Sequence, residues 1–227
     1  MIVLLAGMLP AFYLIYKIYK LDRIEKEPVG LLVKLFFLGG LSIIPAVILE
    51  EIGSVILYMF LDETSVLYIL LENFIVVAIS EEFCKRWFLQ KTTRKHPAFN
   101  YRFDAVVYAV TVSLGFAAFE NVMYIMDFGL SIAPVRALTS VPLHGICGVF
   151  MGFFYGSMKA NDGWNQQRYL YAKKMSLWVP VLIHGFYDFC ASMEEDSYTL
   201  IWLAFIVILY IFVFRFLKNI SRNDAPV

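Results

Sequence analysis

Ionisable side chains interrupt several long apolar stretches of this 227-residue chain. A charge at the centre of a bilayer costs roughly 2.5–3.5 kcal/mol on insertion scales, so a chain that retains several charges must pair them inside a protein interior. Seven such residues stand out, namely Glu81, Glu82, Lys85, Glu120, His144, His184 and Asp188. The pattern predicts several membrane helices packed around a shared polar site.

The composition indicates a membrane protein. Hydrophobic residues make up 60% of the chain, against about 45–50% in a typical soluble domain. A helix needs about 20 mostly apolar residues to cross a bilayer. We identify seven apolar segments, at roughly 2–20, 30–60, 66–90, 104–127, 132–158, 176–193 and 198–217. The sequence therefore predicts an all-α polytopic membrane protein, with about seven transmembrane helices in a single domain spanning 1–227.

The segment at 30–60 is too long for one straight crossing. Pro45 removes a helical hydrogen bond, and the Glu50–Glu51 pair is polar within an apolar stretch. We therefore expect this segment to kink, to tilt or to turn along the membrane interface.

Basic residues are distributed asymmetrically between the two ends of these segments. If the loop at 22–28 is cytoplasmic and the segments alternate in direction, only Arg136 of the 19 basic residues falls on the outer side. The predicted outer loops carry acidic residues, namely Asp62, Glu63, Asp127, Glu194, Glu195 and Asp196. By the positive-inside rule, we expect the N-terminus outside and the C-terminus inside.

Cys84, Cys147 and Cys190 all lie within predicted spans. Each is close to a polar residue of the same span, but buried cysteine usually behaves as a small hydrophobic residue. We interpret all three as packing residues rather than as metal ligands.

The first polar motif is Glu81-Glu82-x-x-Lys85. On a helix, Glu81 and Lys85 share a face, as do Glu82 and Arg86, so two structural ion pairs would be one explanation. Adjacent helical residues point about 100° apart, however, and two neighbouring glutamates cannot both face the same solvent exit. The motif therefore favours a functional role for at least one glutamate.

The second motif places Glu120 and Asn121 after the small residues Gly115, Ala117 and Ala118. Small residues allow a neighbouring helix to approach closely. No basic residue lies within a turn of Glu120 along the sequence, and such a carboxylate suits a proton donor or a base that activates water. A purely structural contact between helices is the alternative interpretation.

The two remaining motifs contain histidine. His144 is followed at steps of four residues by Gly148, Gly152 and Gly156, which form one ridge of a helix. His184 and Asp188 are also four residues apart, so the carboxylate can orient the imidazole, or both can hold one ion. Each histidine could instead be a satisfied core residue, but four such motifs on successive spans favour one site.

Together these motifs resemble those of the PrsW intramembrane proteases of bacteria. The resemblance rests on Glu81-Glu82-x-x-Lys85, Phe116-x-x-x-Glu120-Asn121, the isolated His144 with its glycines, and His184-x-x-x-Asp188, in this order over nearly the whole chain. The pattern is distantly similar to the CAAX prenyl-protease and bacteriocin-processing group. In that group the second motif ends in His, whereas here it ends in Glu120, which favours PrsW.

The resemblance implies an intramembrane endopeptidase of the bacterial plasma membrane. Its reaction would be site-one cleavage of a single-pass anti-sigma factor near the extracytoplasmic face, in response to envelope stress. The expected partners are this substrate and the lipid bilayer, with no nucleic acid. The predicted catalytic residues are Glu81, Glu82, Glu120, His144, His184 and Asp188, supported by Lys85 and Asn121.

Two mechanisms remain open for peptide hydrolysis. In a mechanism without a cofactor, Glu81 or Glu82 activates water with help from Glu120, and His144 and His184 stabilise the oxyanion. The absence of a His-Glu-x-x-His motif favours this assignment.

In the other mechanism the enzyme is a zinc metalloprotease. His144 and His184 would bind Zn²⁺ with Glu120, Asp188 or Glu82 as the carboxylate ligand, and a remaining glutamate would be the base.

Two other functional classes use intramembrane polar residues. Proton-coupled transporters build relays from Glu, His and Asp, and non-catalytic scaffolds use polar residues to hold helices together. The sequence has no internal repeat and no matched pair of interrupted helices, which many transporters contain. A protease variant at the site would lose cleavage and keep its fold, whereas a scaffold variant would lose assembly.

Overall fold

Ten α-helices follow one another in the computed structural model, which describes residues 1–193 and 195–227. Glu194, which the topology prediction assigns to an outer loop, lies outside the described residues. The helices are α1 (Ile2–Leu21), α2 (Val29–Leu41), α3 (Ile43–Tyr58), α4 (Val66–Leu71), α5 (Ala78–Thr93), α6 (Arg102–Phe128), α7 (Ala133–Leu138), α8 (Ser140–Ala160), α9 (Gln166–Ser192) and α10 (Asp196–Arg222). A π-helical stretch, Glu72–Val77, joins α4 to α5, and a 3₁₀ turn, Leu130–Ile132, precedes α7.

These helices make seven helical segments at the positions of the seven predicted spans. Five segments are long and apolar enough to cross a membrane, namely Ile2–Leu21, Val29–Tyr58, Arg102–Phe128, Leu130–Ala160 and Asp196–Arg222. The other two, 66–93 and 166–192, fall outside that criterion, and both carry ionisable residues of the predicted site. The predicted all-α polytopic membrane fold is confirmed.

The long second segment is interrupted where α2 ends and α3 begins. Pro45 lacks an N–H group and its ring clashes with the carbonyl of the residue four positions earlier, which is Leu41. The hydroxyl of Ser42 donates a hydrogen bond of 2.6 Å to the carbonyl of Gly39 and closes the last turn of α2. The interruption therefore lies next to Pro45, where a kink, a tilt or a turn was expected.

Helix α6 lies at the centre of the bundle and packs against α1, α2 and α8. The glycine ridge of α8 makes the contact between α6 and α8 possible. A Cβ atom at Gly152 would lie 2.5 Å from the carbonyl oxygen of Ala105 and 2.5 Å from the Cα of Val106. The close backbone approach inferred from the glycine spacing is confirmed, and it brings His144 on α8 alongside Glu120 on α6.

This contact leads to a prediction about stability. Replacing Gly152 with Ala is expected to lower the free energy of unfolding by about 1–3 kcal/mol, because the backbone of α6 would have to move to admit the methyl group. Gly30→Ala is the matched control, since a Cβ at Gly30 meets nothing within 4 Å. Reversible unfolding in detergent micelles would measure both variants, and equal stability of the two would contradict the prediction.

Candidate active site

Four helices bring the predicted site residues together. Glu81, Glu82 and Lys85 come from α5, Glu120 and Asn121 from α6, His144 from α8, and His184 and Asp188 from α9. All of these side chains are connected by the contacts described below. Glu82 on α5 and His184 on α9 are in direct contact, since a carboxylate oxygen of Glu82 lies 3.0 Å from Nδ1 of His184.

The π-helical stretch Glu72–Val77 directly precedes the helix that carries both glutamates. π-Helical turns are rare and occur frequently at functional sites. Within this segment the side chain of Asn73 donates a hydrogen bond of 2.7 Å to the carbonyl of Ile69. The wider turn changes the rotational phase of α5, and both Glu81 and Glu82 are buried in the bundle.

Lys85 lies at the centre of the site. Its ammonium nitrogen is 2.8 Å from Oε2 of Glu81 and 2.8 Å from Oε1 of Glu82. It is also 3.0 Å from Nδ1 of His144 and 4.0 Å from the centroid of the Phe116 ring. The predicted Glu81–Lys85 ion pair is therefore present, and one fully buried cation serves both glutamates.

The alternative Glu82–Arg86 ion pair does not form among the described residues. Arg86 instead donates hydrogen bonds to the hydroxyl of Ser176 and to the carbonyl of Lys173 on α9. Arg86 therefore joins α5 to α9 and leaves Glu82 to the site.

The two histidines have the same arrangement. Nδ1 of each faces the centre, where His144 meets Lys85 and His184 meets Glu82, both at 3.0 Å. Nε2 of each faces an outer carboxylate, and these distances are 3.1 Å to Glu120 and 3.0 Å to Asp188. The ring centroids lie 5.0 Å apart. Carboxylates at the outer nitrogen are the usual means by which a protein orients a metal-binding histidine.

Arg136 belongs to the site, although it is not among the residues predicted from the sequence. Its guanidinium donates hydrogen bonds to Oε2 of Glu120 at 2.7 Å and to Oδ1 of Asn121 at 3.0 Å. Its Cζ atom also lies 3.7 Å from the centroid of the Tyr124 ring. Asn121 in turn donates to the carbonyl of Gly7 on α1. The sequence contained a signal, because Arg136 is the one basic residue that the predicted topology leaves on the outer side.

A cavity of about 650 Å³ reaches the site. It falls within the volume range of roughly 300–1,000 Å³ typical of ligand pockets. Glu81, Glu120, His144, His184 and Asp188 line it, together with apolar residues of α3 and α6. Glu50 also lines this cavity, and one of its carboxylate oxygens is buried without a hydrogen-bond partner among the described residues. Along the sequence, Glu50 marks only the polar interruption of the second apolar segment.

The charges around the cavity do not balance when both histidines are neutral. Two basic side chains, Lys85 and Arg136, contact the site carboxylates. The site has four carboxylates, namely Glu81, Glu82, Glu120 and Asp188, of which Asp188 contacts His184. When all four are ionised, two negative charges are left over, and one divalent cation would compensate them.

Four side chains could hold such an ion. Glu81, Glu82, His144 and His184 each offer one ligand atom, and these atoms all lie within 4.8 Å of one another. Two imidazoles with carboxylate oxygens are a donor set that suits Zn²⁺. In addition, Oε2 of the fully buried Glu82 has no hydrogen-bond partner among the described residues. The residues present therefore fit a metal, with Glu81 and Glu82 rather than Glu120 or Asp188 beside both histidines.

Comparison with known proteins identifies related sequences. Residues 27–217 match the model of the PrsW family of intramembrane metalloproteases. The chain is 32% identical to Protease PrsW of Oceanobacillus iheyensis, over 97% of each chain. It is 31% identical to Protease PrsW of Bacillus subtilis, over 94% of this chain and 93% of that one. No solved structure matches the chain significantly.

Proposed function

This chain belongs to the PrsW family of intramembrane proteases, and on that premise we propose that it is a metal-dependent endopeptidase that cleaves a single-pass membrane protein. One observation carries the proposal most directly. Two glutamates and two histidines from three helices converge within 4.8 Å beside a cavity. A site of that composition, buried inside a membrane bundle, suits hydrolysis of a peptide bond away from bulk water.

We assign the metal to His144 and His184, through their inward-facing Nδ1 atoms, and to Glu82. A divalent cation held there would activate a water molecule and polarise the scissile carbonyl. The match to a metalloprotease family and the uncompensated carboxylate charge both support this assignment. It differs from the preference drawn from the sequence, which took the lack of a His-Glu-x-x-His motif as a reason to omit a metal.

The remaining residues have separate roles in this proposal. Glu81 lines the cavity and is the candidate base that accepts a proton from the attacking water. Glu120 and Asp188 hold the Nε2 side of the two histidines and fix their orientation. Arg136 balances Glu120 and keeps its carboxylate beside His144.

A metal-free glutamate mechanism is the second candidate, and a specific observation favours it. The ammonium of Lys85 already lies within 3.0 Å of atoms of Glu81, Glu82 and His144. An ammonium and a metal ion cannot share this point, so metal binding requires Lys85 to withdraw. If Lys85 stays, Glu81 or Glu82 would activate water alone and the histidines would stabilise the oxyanion.

The proposed substrate is a single-pass anti-sigma factor, cut near the extracytoplasmic face in a stress response. Family membership supports this substrate class. The position of the site supports the side of cleavage, because Glu120 and Asp188 lie in the halves of α6 and α9 that the charge asymmetry assigns to the outside.

Reconstitution in lipid tests the proposal. Purified protein and a tagged single-pass anti-sigma factor would be combined in proteoliposomes, with and without a zinc chelator. We expect cleavage that the chelator abolishes and added Zn²⁺ restores. Cleavage that resists complete metal removal would support the glutamate mechanism, and no cleavage of any single-pass substrate by folded protein would contradict the protease assignment.

Arg136 provides a separate prediction. Arg136→Gln is expected to lower the cleavage rate about 10–100-fold, because Glu120 would lose its charged partner and hold His144 less firmly. Arg136→Lys should restore part of the rate, since it keeps the charge but not the contact to both Glu120 and Asn121. Arg94→Gln is the control, because the Arg94–Asp162 ion pair is about half exposed and lies away from the cavity. An unchanged rate in Arg136→Gln would remove Arg136 from the site.

A further inference from the structure

A second group of carboxylates lies far from the active site. Asp22 and Glu27 belong to the loop between α1 and α2, and Asp104 lies in the first turn of α6. Sixteen residues separate Asp104 from Glu120 along α6, which corresponds to about 24 Å at 1.5 Å per residue. The group is therefore at the opposite end of the bundle from the cavity.

These three side chains are unusually buried for acidic residues. Asp22 and Glu27 are each 2% exposed, and Asp104 is 1% exposed. Buried carboxylates are normally paired with a cation or fully hydrogen-bonded. None of the ion pairs formed by residues 1–193 and 195–227 involves any of the three. The nearby ammonium of Lys26 instead donates to the backbone carbonyls of Tyr19 and Asp22.

Each of the three carboxylates also has one oxygen without a partner among the described residues. These atoms are Oδ2 of Asp22, Oε1 of Glu27 and Oδ1 of Asp104. Two of the remaining oxygens accept hydrogen bonds. Oε2 of Glu27 accepts one from the hydroxyl of Tyr108, and Oδ2 of Asp104 accepts two from the backbone N–H groups of Asn100 and Tyr101. Each of the three buried carboxylates thus has one oxygen that accepts no hydrogen bond from a described residue.

The spacing of the carboxylates fits a single ion. One oxygen from each of the three side chains can be chosen so that all lie within 4.8 Å of one another. Two oxygens that bind one Ca²⁺ at 2.3–2.6 Å are at most about 5 Å apart. For Mg²⁺ the distance between two such oxygens is shorter, because its bonds to oxygen are shorter. Oxygen atoms alone, without sulfur or imidazole, favour these hard cations over zinc.

We propose that Asp22, Glu27 and Asp104 form a binding site for a hard divalent cation, Mg²⁺ or Ca²⁺, that joins the α1–α2 loop to the start of α6. Electrostatics agrees with this geometry. Burial, with the nearby charge of Asp104, raises the pKa of Asp22 to about 6, and burial raises the pKa of Glu27 to about 8. A bound cation would compensate the negative charge whose burial raises these pKa values.

The site has a structural role. The α1–α2 loop, the start of α6 and the chain end meet here, since the N–H of Phe103 donates to Asp224 and that of Arg102 donates to the carbonyl of Ala225. A cation would connect α1 and α2 to the central helix without touching the catalytic groups. The predicted topology places this end in the cytoplasm, so Mg²⁺ is the first ion to test.

Thermal unfolding of the full chain tests the proposal. Metal-free protein in detergent would be titrated with MgCl₂, CaCl₂ or, at matched ionic strength, NaCl. We expect a divalent cation at saturating concentration to raise the midpoint of unfolding by about 5 °C or more. The measurement would be made in the Glu82→Gln background, so that the proposed active-site metal does not contribute.

Two variants and a control make the result specific. Asp22→Asn and Glu27→Gln should each lose the cation response, whereas Glu25→Gln in the same loop should keep it, because Glu25 is exposed. Asp104 is left intact because it accepts the N–H groups that begin α6. Electron paramagnetic resonance of Mn²⁺ would count the bound ions, with one fewer expected in Asp22→Asn.

Two outcomes would overturn the inference. One is a midpoint of unfolding that Mg²⁺ and Ca²⁺ leave unchanged relative to NaCl, which would mean that the three carboxylates share protons instead of a cation. The other is an equal cation response in Asp22→Asn, Glu27→Gln and Glu25→Gln, which would place the bound ion elsewhere.

Discussion

The Glu82→Gln variant is expected to lose substrate cleavage and Zn²⁺ binding together, whereas Glu81→Gln should lose cleavage and retain the metal. Glu82 is fully buried, contacts both Lys85 and His184, and has one oxygen free for an ion. Glu81 lines the cavity where water and substrate enter. Loss of a general base usually lowers the rate about 10²–10⁴-fold, and loss of a metal ligand should leave no measurable cleavage.

Loss of cleavage and loss of metal binding are distinguished by measuring cleavage in proteoliposomes and the zinc content of each purified variant. Glu63→Gln is the matched control, because Glu63 is exposed in the loop between α3 and α4. Each variant changes a carboxylate to an amide of the same shape, so circular dichroism should show unchanged helix content. If Glu82→Gln binds zinc as the parent does and still cleaves, Glu82 is not a ligand and the assignment of the site fails.

The second large effect concerns stability. Lys85→Met is expected to lower the free energy of unfolding by about 3–5 kcal/mol in the presence of a chelator, because two buried carboxylates would lose the lysine that contacts both of them. Zn²⁺ should restore most of this loss, since the ion would take the position and charge of the ammonium. The affinity of the Lys85→Met variant for Zn²⁺ should also exceed that of the parent protein, because in the parent Lys85 has to withdraw before the metal binds.

Thermal or chemical unfolding with chelator and with Zn²⁺ would measure the effect. Lys91→Met on the same helix is the control, because Lys91 is exposed and should show neither the loss nor the rescue. A Lys85→Met protein that is destabilised and gains nothing from zinc would favour the metal-free mechanism. A fully stable Lys85→Met protein would show that the central ion pair is not needed at all.

Much of the fold could be predicted from the sequence because a bilayer imposes a strong local constraint. Every backbone polar group within the membrane must be satisfied internally, so an apolar run of sufficient length becomes a helix whatever surrounds it. This explains why all seven segments were located and why Pro45 marked the interruption at Ser42. The spacing of Gly148, Gly152 and Gly156 likewise predicted a close helix contact, because glycine steps of four residues always share one face.

The membership of the site was also predictable in part. Glu81, Glu82, Glu120, His144, His184 and Asp188 were identified because each is polar in an apolar span, and the structure brings them together. Arg136 and Glu50 were missed. Both lie near segment ends or kinks, where a charged residue has an ordinary explanation in contact with solvent or lipid headgroups.

The sequence by itself determined which segments are helical and which side chains cannot face lipid, since both follow from hydropathy and spacing along one helix. Only the tertiary structure decided how these side chains pair. It placed Lys85 between two glutamates and a histidine, turned Glu120 and Asp188 to the outer side of the histidines, and gathered Asp22, Glu27 and Asp104 at the far end. The physical reason is that contacts between helices depend on the rotation, depth and tilt of each helix. The rotation, depth and tilt of each helix are set by packing over the whole bundle, so they cannot be predicted from the residue pattern of one segment.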